Sequence, residues 1–121
     1  MLKINDGQMS VLEDKSRNDF QERMLVHIAK FFPEHDAALD FEQKHALIDH
    51  GIERGAEYAI VSERDICIWV DLMLALGPDF DVSETYPWAA TILADDLRLP
   101  NLRMDELHAR VVEEIESRDT P

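Results

Sequence analysis

Apolar residues recur along this chain at intervals of three, four or eight, and capping residues or prolines separate the runs. This spacing places apolar side chains on one face of a helix. No run of any length has the alternation with a period of two that a half-buried strand requires. The pattern therefore predicts an all-α fold, a compact bundle of about five helices.

The first predicted helix covers about 6–32. Asn5 and Gln8 have the spacing of a capping box at its start, and Pro33 is expected to end it. Its apolar stripe consists of Met9, Leu12, Phe20, Met24, Ile28 and Phe31.

The second predicted helix covers about 41–58, after a capping box of Asp40 and Gln43. One face of this helix carries Leu47, Ile48, Ile52 and Ala56. Gly51 and Gly55 lie four residues apart on this helix, and each costs about 1 kcal/mol relative to alanine. Two interpretations stay open: the pair allows a neighbouring helix to approach closely, or it weakens and kinks the helix.

The third predicted helix, about 63–76, has the clearest boundaries. Ser62 and Asp65 are expected to form a capping box, and Gly77-Pro78 stops the helix. It is apolar nearly all round, so we expect it to be the central helix of the bundle.

The remaining chain is predicted to form a loop and two further helices. In the loop 78–86, the apolar Phe80, Val82 and Tyr86 are expected to pack against the body. The fourth helix starts near Pro87, which is favourable in a first turn. It carries Trp88, Ile92, Leu93 and Leu97. After Pro100, the last helix covers about 102–117, with Met104, Leu107, Val111 and Ile115 on its apolar face.

Charge and length narrow the classes of function. The 121 residues fit a single helical domain, 1–121, and their formal net charge is −14. Most of the excess lies in residues 33–100, which carry 15 acids and 4 bases. Such a surface repels nucleic acid and anionic membranes, and it suits a basic protein partner. No apolar run has the length of a signal peptide core or of a membrane span, so the expected compartment is the cytoplasm.

Two patterns resemble metal sites but lack essential members. Glu42 and His45 have the Glu-x-x-His spacing of di-iron bundles, which need a second such motif and two more carboxylates. A looser counterpart is Asp105 with His108. The loop that begins with Asp79, Asp81 and Ser83 opens like a calcium-binding loop, but the turn glycine and the closing glutamate are missing.

The sequence also offers no catalytic motif. Cys67 is the single cysteine, and it becomes a nucleophile only if a histidine reaches it. A cysteine in an apolar helix more commonly serves as a small buried side chain. We therefore predict no catalytic residue, no metal and no cofactor, and a protein that is not an enzyme.

Asp71 lies within the most apolar helix, where an unpaired carboxylate is costly. It either marks the exposed edge of that helix or pairs with Arg64, Arg98 or another base. Tyr86 and Trp88 flank Pro87 at a helix start, and such aromatic residues are enriched at binding hot spots. Core packing is the alternative role of Trp88.

Several segments together resemble a known group of proteins. They are Tyr58-Ala59-Ile60-Val61-Ser62-Glu63-Arg64-Asp65, Trp69, Asp71-Leu72-Met73, Leu76-Gly77-Pro78-Asp79-Phe80-Asp81, Pro87-Trp88-Ala89 and Ile92-Leu93, preceded by Gln8-Met9, Phe20, Arg23-Met24 and Phe32-Pro33. The chain resembles small, uncharacterised bacterial proteins found beside type VI secretion effectors and their adaptor chaperones. The resemblance implies a co-chaperone that helps an adaptor load its toxin, and it assigns no active site.

Four hypotheses follow. The sequence favours a protein-binding co-chaperone or adaptor partner of a type VI secretion effector or its adaptor chaperone. The alternatives are an immunity protein that occludes a basic toxin, a metal-dependent enzyme built on Glu42, His45 and His108, and a structural module that forms homo-oligomers. The expected partner-binding residues are Asp79, Phe80, Asp81, Tyr86 and Trp88.

Overall fold

Helices joined by short connections make up the fold, as the apolar periodicity predicts. A computed structural model describes residues 14–119, with the side chains of 16–117. Its helices are α1 (Asp14–Phe31), α2 (Pro33–Ala38), α3 (Phe41–Glu57), α4 (Glu63–Leu76), α5 (Pro87–Leu93) and α6 (Pro100–Asp119), with a short 3-10 helix at Phe80–Val82. No β-strand occurs in this described part of the chain. The all-α prediction is confirmed.

Helix α1 buries the predicted side chains Phe20, Met24 and Ile28. Phe31, which was expected in the same stripe, is exposed, so this part of the prediction is wrong. The predicted start of the helix, its capping box of Asn5 and Gln8, and the stripe members Met9 and Leu12 lie outside the described residues.

Pro33 does not simply end a helix; it begins α2. Proline lacks an N–H, and the first turn of a helix needs none, so a proline that terminates one helix can open the next. Helix α2 has no buried residue. Its composition, Pro-Glu-His-Asp-Ala-Ala, therefore carries no apolar stripe by which periodicity detects a helix.

Helix α3 begins with the predicted capping box. The Asp40 carboxylate accepts from the Gln43 amide at 2.8 Å, and the Gln43 side chain accepts from the Asp40 amide at 2.9 Å. Gly51 and Gly55 are both buried where α3 packs on α4. A Cβ added at Gly55 would lie 2.5 Å from Ile66 Cδ1, so close approach is the correct interpretation of this glycine.

Helix α4 is the central helix of the bundle, as predicted, and it packs against α3 and α6. Ile66, Trp69, Val70 and Met73 on this helix are buried. The Ser62 hydroxyl accepts from the Asp65 amide at 3.2 Å, which caps the first turn. The Asp65 carboxylate bonds to Arg64 at 2.9 Å and not to the Ser62 amide, so only the serine half of the predicted capping box forms.

Three apolar residues of the last third depart from the predicted pattern. Helix α5 starts at Pro87 as expected, but it ends at Leu93, which leaves Leu97 beyond the helix and 95% exposed. Val82, expected to hold the loop, is 61% exposed, whereas Phe80 is buried. On α6, Ile115 is exposed near the end of the helix. Leu97 and Ile115 lie beyond the last described buried residue of α5 and α6, Leu93 and Val111, where apolar spacing alone predicts too much burial.

Candidate functional site

The five residues predicted to bind a partner divide into buried and accessible ones. Phe80 and Asp81 are each 1% exposed, so a partner that meets this fold cannot touch their side chains. The assignment of these two residues to a binding surface is therefore corrected. Asp79 is exposed, and its carboxylate lies 3.1 Å from His50 Nε2.

Asp81 instead anchors its loop to the end of α3. Its carboxylate bonds to the Arg54 guanidinium and accepts from the Tyr58 hydroxyl at 3.0 Å. The hydrogen bond that Arg54 donates to Asp81 raises the pKa of Arg54. Burial, and then the same carboxylate, raise the pKa of Tyr58. A buried carboxylate is tolerated because these two donors pair with it, so Asp81 is structural.

Tyr86 and Trp88 stay accessible at the start of α5. Their rings meet edge to face with centroids 5.8 Å apart, and both are half-buried. The Arg110 guanidinium of α6 lies 5.5 Å from the centre of a Trp88 ring. Trp88 also packs against the core cluster, which is the alternative role that the sequence left open.

The metal patterns noted in the sequence do not assemble into sites. Glu42 is exposed, and the His45 Nδ1 atom lies 3.7 Å from an Asp49 oxygen in the next turn of α3. Among the described residues, no group of three clustered ligand atoms includes Glu42, His45 or His108. The Asp81 carboxylate bonds to Arg54. The calcium-loop pattern, which already lacks its turn glycine and closing glutamate, therefore also lacks a free carboxylate at its second ligand.

Asp71 pairs with His27, a base that was not named in the prediction from the sequence. The His27 Nε2 atom lies 2.8 Å from an Asp71 oxygen, and both side chains are about one quarter exposed, at 24% and 26%. Burial raises the pKa of Asp71, and the hydrogen bond to His27 partly offsets this effect. His27 follows Met24 by three residues and thus lies beside the buried stripe of α1, which is the signal that could have identified it.

The same histidine reaches Cys67. The Cys67 Sγ atom lies 3.8 Å from His27 Nε2, so cysteine, histidine and aspartate form one cluster. A catalytic triad needs one imidazole nitrogen for the nucleophile and the other for the carboxylate, whereas here Nε2 faces both. Burial, followed by the Asp71 charge, raises the pKa of Cys67 to about 12. The thiol is thus protonated at neutral pH, and the cluster lacks the properties of a nucleophilic site.

A second accessible feature is a groove of about 440 Å³ beside the α5–α6 connection, which we call the corner groove. Its lining includes Leu97, Leu99, Tyr58, Pro100, Glu57 and Asp96. Leu97 is 95% exposed and Leu99 is 63% exposed. Sequence reasoning missed this groove because it placed Leu97 on the buried face of a helix.

Comparisons with protein families, curated proteins and solved structures find no match for this chain. None of the helices in residues 14–119 combines the length and the apolar character needed to cross a membrane.

Proposed function

We propose that this protein binds another protein, a type VI secretion effector or the adaptor chaperone that loads it, and that the corner groove is the contact surface. The observation that carries this proposal is that Leu97 and Leu99 are both exposed and both line one concave surface. Exposed apolar side chains grouped in a groove are typical of protein-binding sites. The resemblance in sequence supplies the class of partner.

The acidic excess of the whole chain, and not the groove lining, favours a basic partner segment. The lining itself holds two acids, Glu57 and Asp96, and two bases, Arg98 and Arg103. The whole chain carries a formal charge of −14. The preferred ligand is therefore an apolar side chain flanked by lysine or arginine, since opposite charge speeds encounter and the leucines supply the buried centre.

The test is affinity purification of the tagged protein from the bacterium that encodes it. We expect a secretion adaptor or effector to be recovered with the unmodified protein, and Leu97→Ser with Leu99→Ser to reduce that recovery at least about tenfold, which corresponds to about 1.4 kcal/mol. The matched control is Val26→Ser on α1, because Val26 is equally apolar at the surface, 70% exposed, and does not line the groove. This control should retain the partner.

The other outcomes decide between the alternatives. A toxin recovered without any adaptor would support the immunity hypothesis, which the charge of −14 also favours. Self-association with no other protein would support the structural module and contradict the proposal. A partner retained in full by the leucine variants would place the contact elsewhere, and substitution of the accessible Asp79 and Trp88 would then test the surface predicted from the sequence.

A further inference from the structure

Three different metal-ligating side chains meet between α1 and α4. The ligand atoms of His27, Cys67 and Asp71 all lie within 4.8 Å of one another, and no other group of three with this spacing occurs among the described residues. We infer that these three side chains form a binding site for one Zn²⁺ ion, with a fourth coordination position open. This inference is independent of the partner proposed above.

The distances suit a single ion. Zinc bond lengths of about 2.0–2.3 Å place a nitrogen and a sulfur ligand about 3.6 Å apart, and a nitrogen and an oxygen ligand about 3.4 Å apart. The corresponding separations are 3.8 Å between His27 Nε2 and Cys67 Sγ, and 2.8 Å between His27 Nε2 and Asp71 Oδ1. Small side-chain rotations that replace the His27–Asp71 hydrogen bond with two metal bonds therefore complete the site.

The donor set selects the metal. Calcium and magnesium prefer oxygen ligands, whereas a thiolate, an imidazole and a carboxylate together match the borderline character of zinc. Three protein ligands leave one of the four tetrahedral positions for water or a group from a partner.

The helices hold the ligands in place. Cys67 and Asp71 are four residues apart on α4, so both project from the same face, and His27 of α1 lies opposite them. His27 and Cys67 also line a surface pocket of about 250 Å³, which gives an ion a path from solvent. The two arginines at this pocket are already paired, Arg23 with Glu63 and Arg64 with Asp65 and Asp105.

Zinc binding at this site is coupled to the release of protons from its ligands. Zinc binds a cysteine as its thiolate, so formation of the zinc–sulfur bond releases the thiol proton of Cys67 to the buffer. Any proton on His27 Nε2 must also leave before this nitrogen binds the metal. Apparent zinc affinity should therefore rise with pH. From α6, the electrostatic effect of His108 lowers the pKa of Asp71.

The test uses the full-length chain after removal of any affinity tag, with Co²⁺ and Zn²⁺ alone as probes. We expect one Co²⁺ per chain and a thiolate-to-cobalt charge-transfer band that Zn²⁺ abolishes by displacement. Cys67→Ser should lose the band, and Asp71→Asn and His27→Gln should weaken binding at least about tenfold, since even loss of a supporting group costs about that much. His50→Asn is the matched control, because His50 faces Asp79 without a cysteine and should leave binding unchanged.

Two results would overturn the inference. One is the absence of a charge-transfer band in the unmodified protein at saturating Co²⁺; the other is equal zinc affinity in the unmodified protein and Cys67→Ser. If the Cys67→Ser chain fails to fold, X-ray absorption of the zinc-loaded unmodified protein decides instead. A sulfur neighbour at about 2.3 Å supports the site, and a shell of nitrogen and oxygen alone rejects it.

Discussion

At the scale of single residues, the turn after α3 shows a conformation that its residue type disfavours. Ala59 has a φ of 62°, and it is the only residue other than glycine with a positive φ among those described. The Ile60 amide bonds to the Gly55 carbonyl at 2.9 Å, and the Ala59 amide bonds to the Ala56 carbonyl at 3.0 Å. These two bonds define a Schellman motif, in which glycine is the usual residue at the left-handed position.

We expect Ala59→Gly to stabilise the protein by about 0.5–1 kcal/mol. The left-handed conformation costs an L-residue about 1–2 kcal/mol, and the greater freedom of glycine in the unfolded chain removes part of that gain. Urea unfolding measures the change. Gly77→Ala is the reverse control. Because Gly77 has a φ of 115°, the alanine variant should be less stable than the unmodified protein by about 1–3 kcal/mol. A loss of stability in Ala59→Gly would contradict the prediction.

Residue-level signals differ in how far they predict structure. The Asp40 and Ser62 caps follow from the sequence because each bond joins residues three apart. The partner of Asp71 does not follow, since His27 is 44 residues away and the two bases named from the sequence, Arg64 and Arg98, bond elsewhere. The local sequence indicates that a buried charge needs a partner. Which residue is that partner depends on how α1 and α4 pack together.

At the scale of elements, α3 and α4 are held close by two glycines in different surroundings. A Cβ at Gly55 would lie 2.5 Å from Ile66 Cδ1 and 3.0 Å from the Ile60 carbonyl oxygen. At Gly51, the nearest atom is the sulfur of Met73, at 3.0 Å. A backbone carbonyl cannot move without disturbing the turn, whereas a methionine side chain adapts readily.

Gly55→Ala should therefore destabilise the protein by about 1–2 kcal/mol, because overpacking outweighs the gain of about 1 kcal/mol in helix propensity. Gly51→Ala provides the matched comparison and should lose less stability, since no backbone atom is among the nearest neighbours of the added Cβ, which are side-chain atoms of Met73 at 3.0 Å and Val70 at 3.1 Å. Thermal and urea unfolding of both variants measure the difference. Equal losses, or a larger loss for Gly51→Ala, would show that close packing does not distinguish the two positions.

Element boundaries were predictable where a cap or a helix-ending residue is local. Helix α3 begins after Asp40, and α4 ends before Gly77, both as predicted. Helix α1 ends before Pro33, as predicted, but the start of α2 at Pro33 was not predicted, because the same residue type marks a helix end and a helix start. The prediction for Leu97 is wrong because the apolar spacing continues past the last turn of α5. The sequence pattern does not show that Leu97 is exposed to solvent there.

At the scale of the whole molecule, Arg103 joins three helices. It lies on α6 and is 4% exposed, and its guanidinium donates to the Leu93 carbonyl at 2.9 Å and to the Tyr58 carbonyl at 3.1 Å. Leu93 is the last residue of α5, and Tyr58 follows the end of α3. The cation thus bonds to carbonyls at two helix C-termini, where the helix dipole is negative.

Arg103→Met should destabilise the protein by about 2–4 kcal/mol, because it removes two charge-assisted hydrogen bonds and leaves two carbonyls without their donor. Arg110→Met on the same helix is the control, since Arg110 is exposed and contacts Trp88 from the surface. It should lose less than about 1 kcal/mol. Denaturant unfolding compares them, and a stability of Arg103→Met within about 0.5 kcal/mol of the unmodified protein would reject the role.

The sequence by itself determined the all-α class, the central position of α4 and most helix ends, because these depend on apolar periodicity and on bonds between residues a few positions apart. Only the tertiary structure decided which side chains meet. Asp81 became a buried anchor through Arg54, 27 residues away, and Cys67 met His27 across 40 residues. Such contacts depend on how helices pack, so a one-dimensional pattern cannot contain them. The corner groove and the His27–Cys67–Asp71 cluster both depend on this packing of helices.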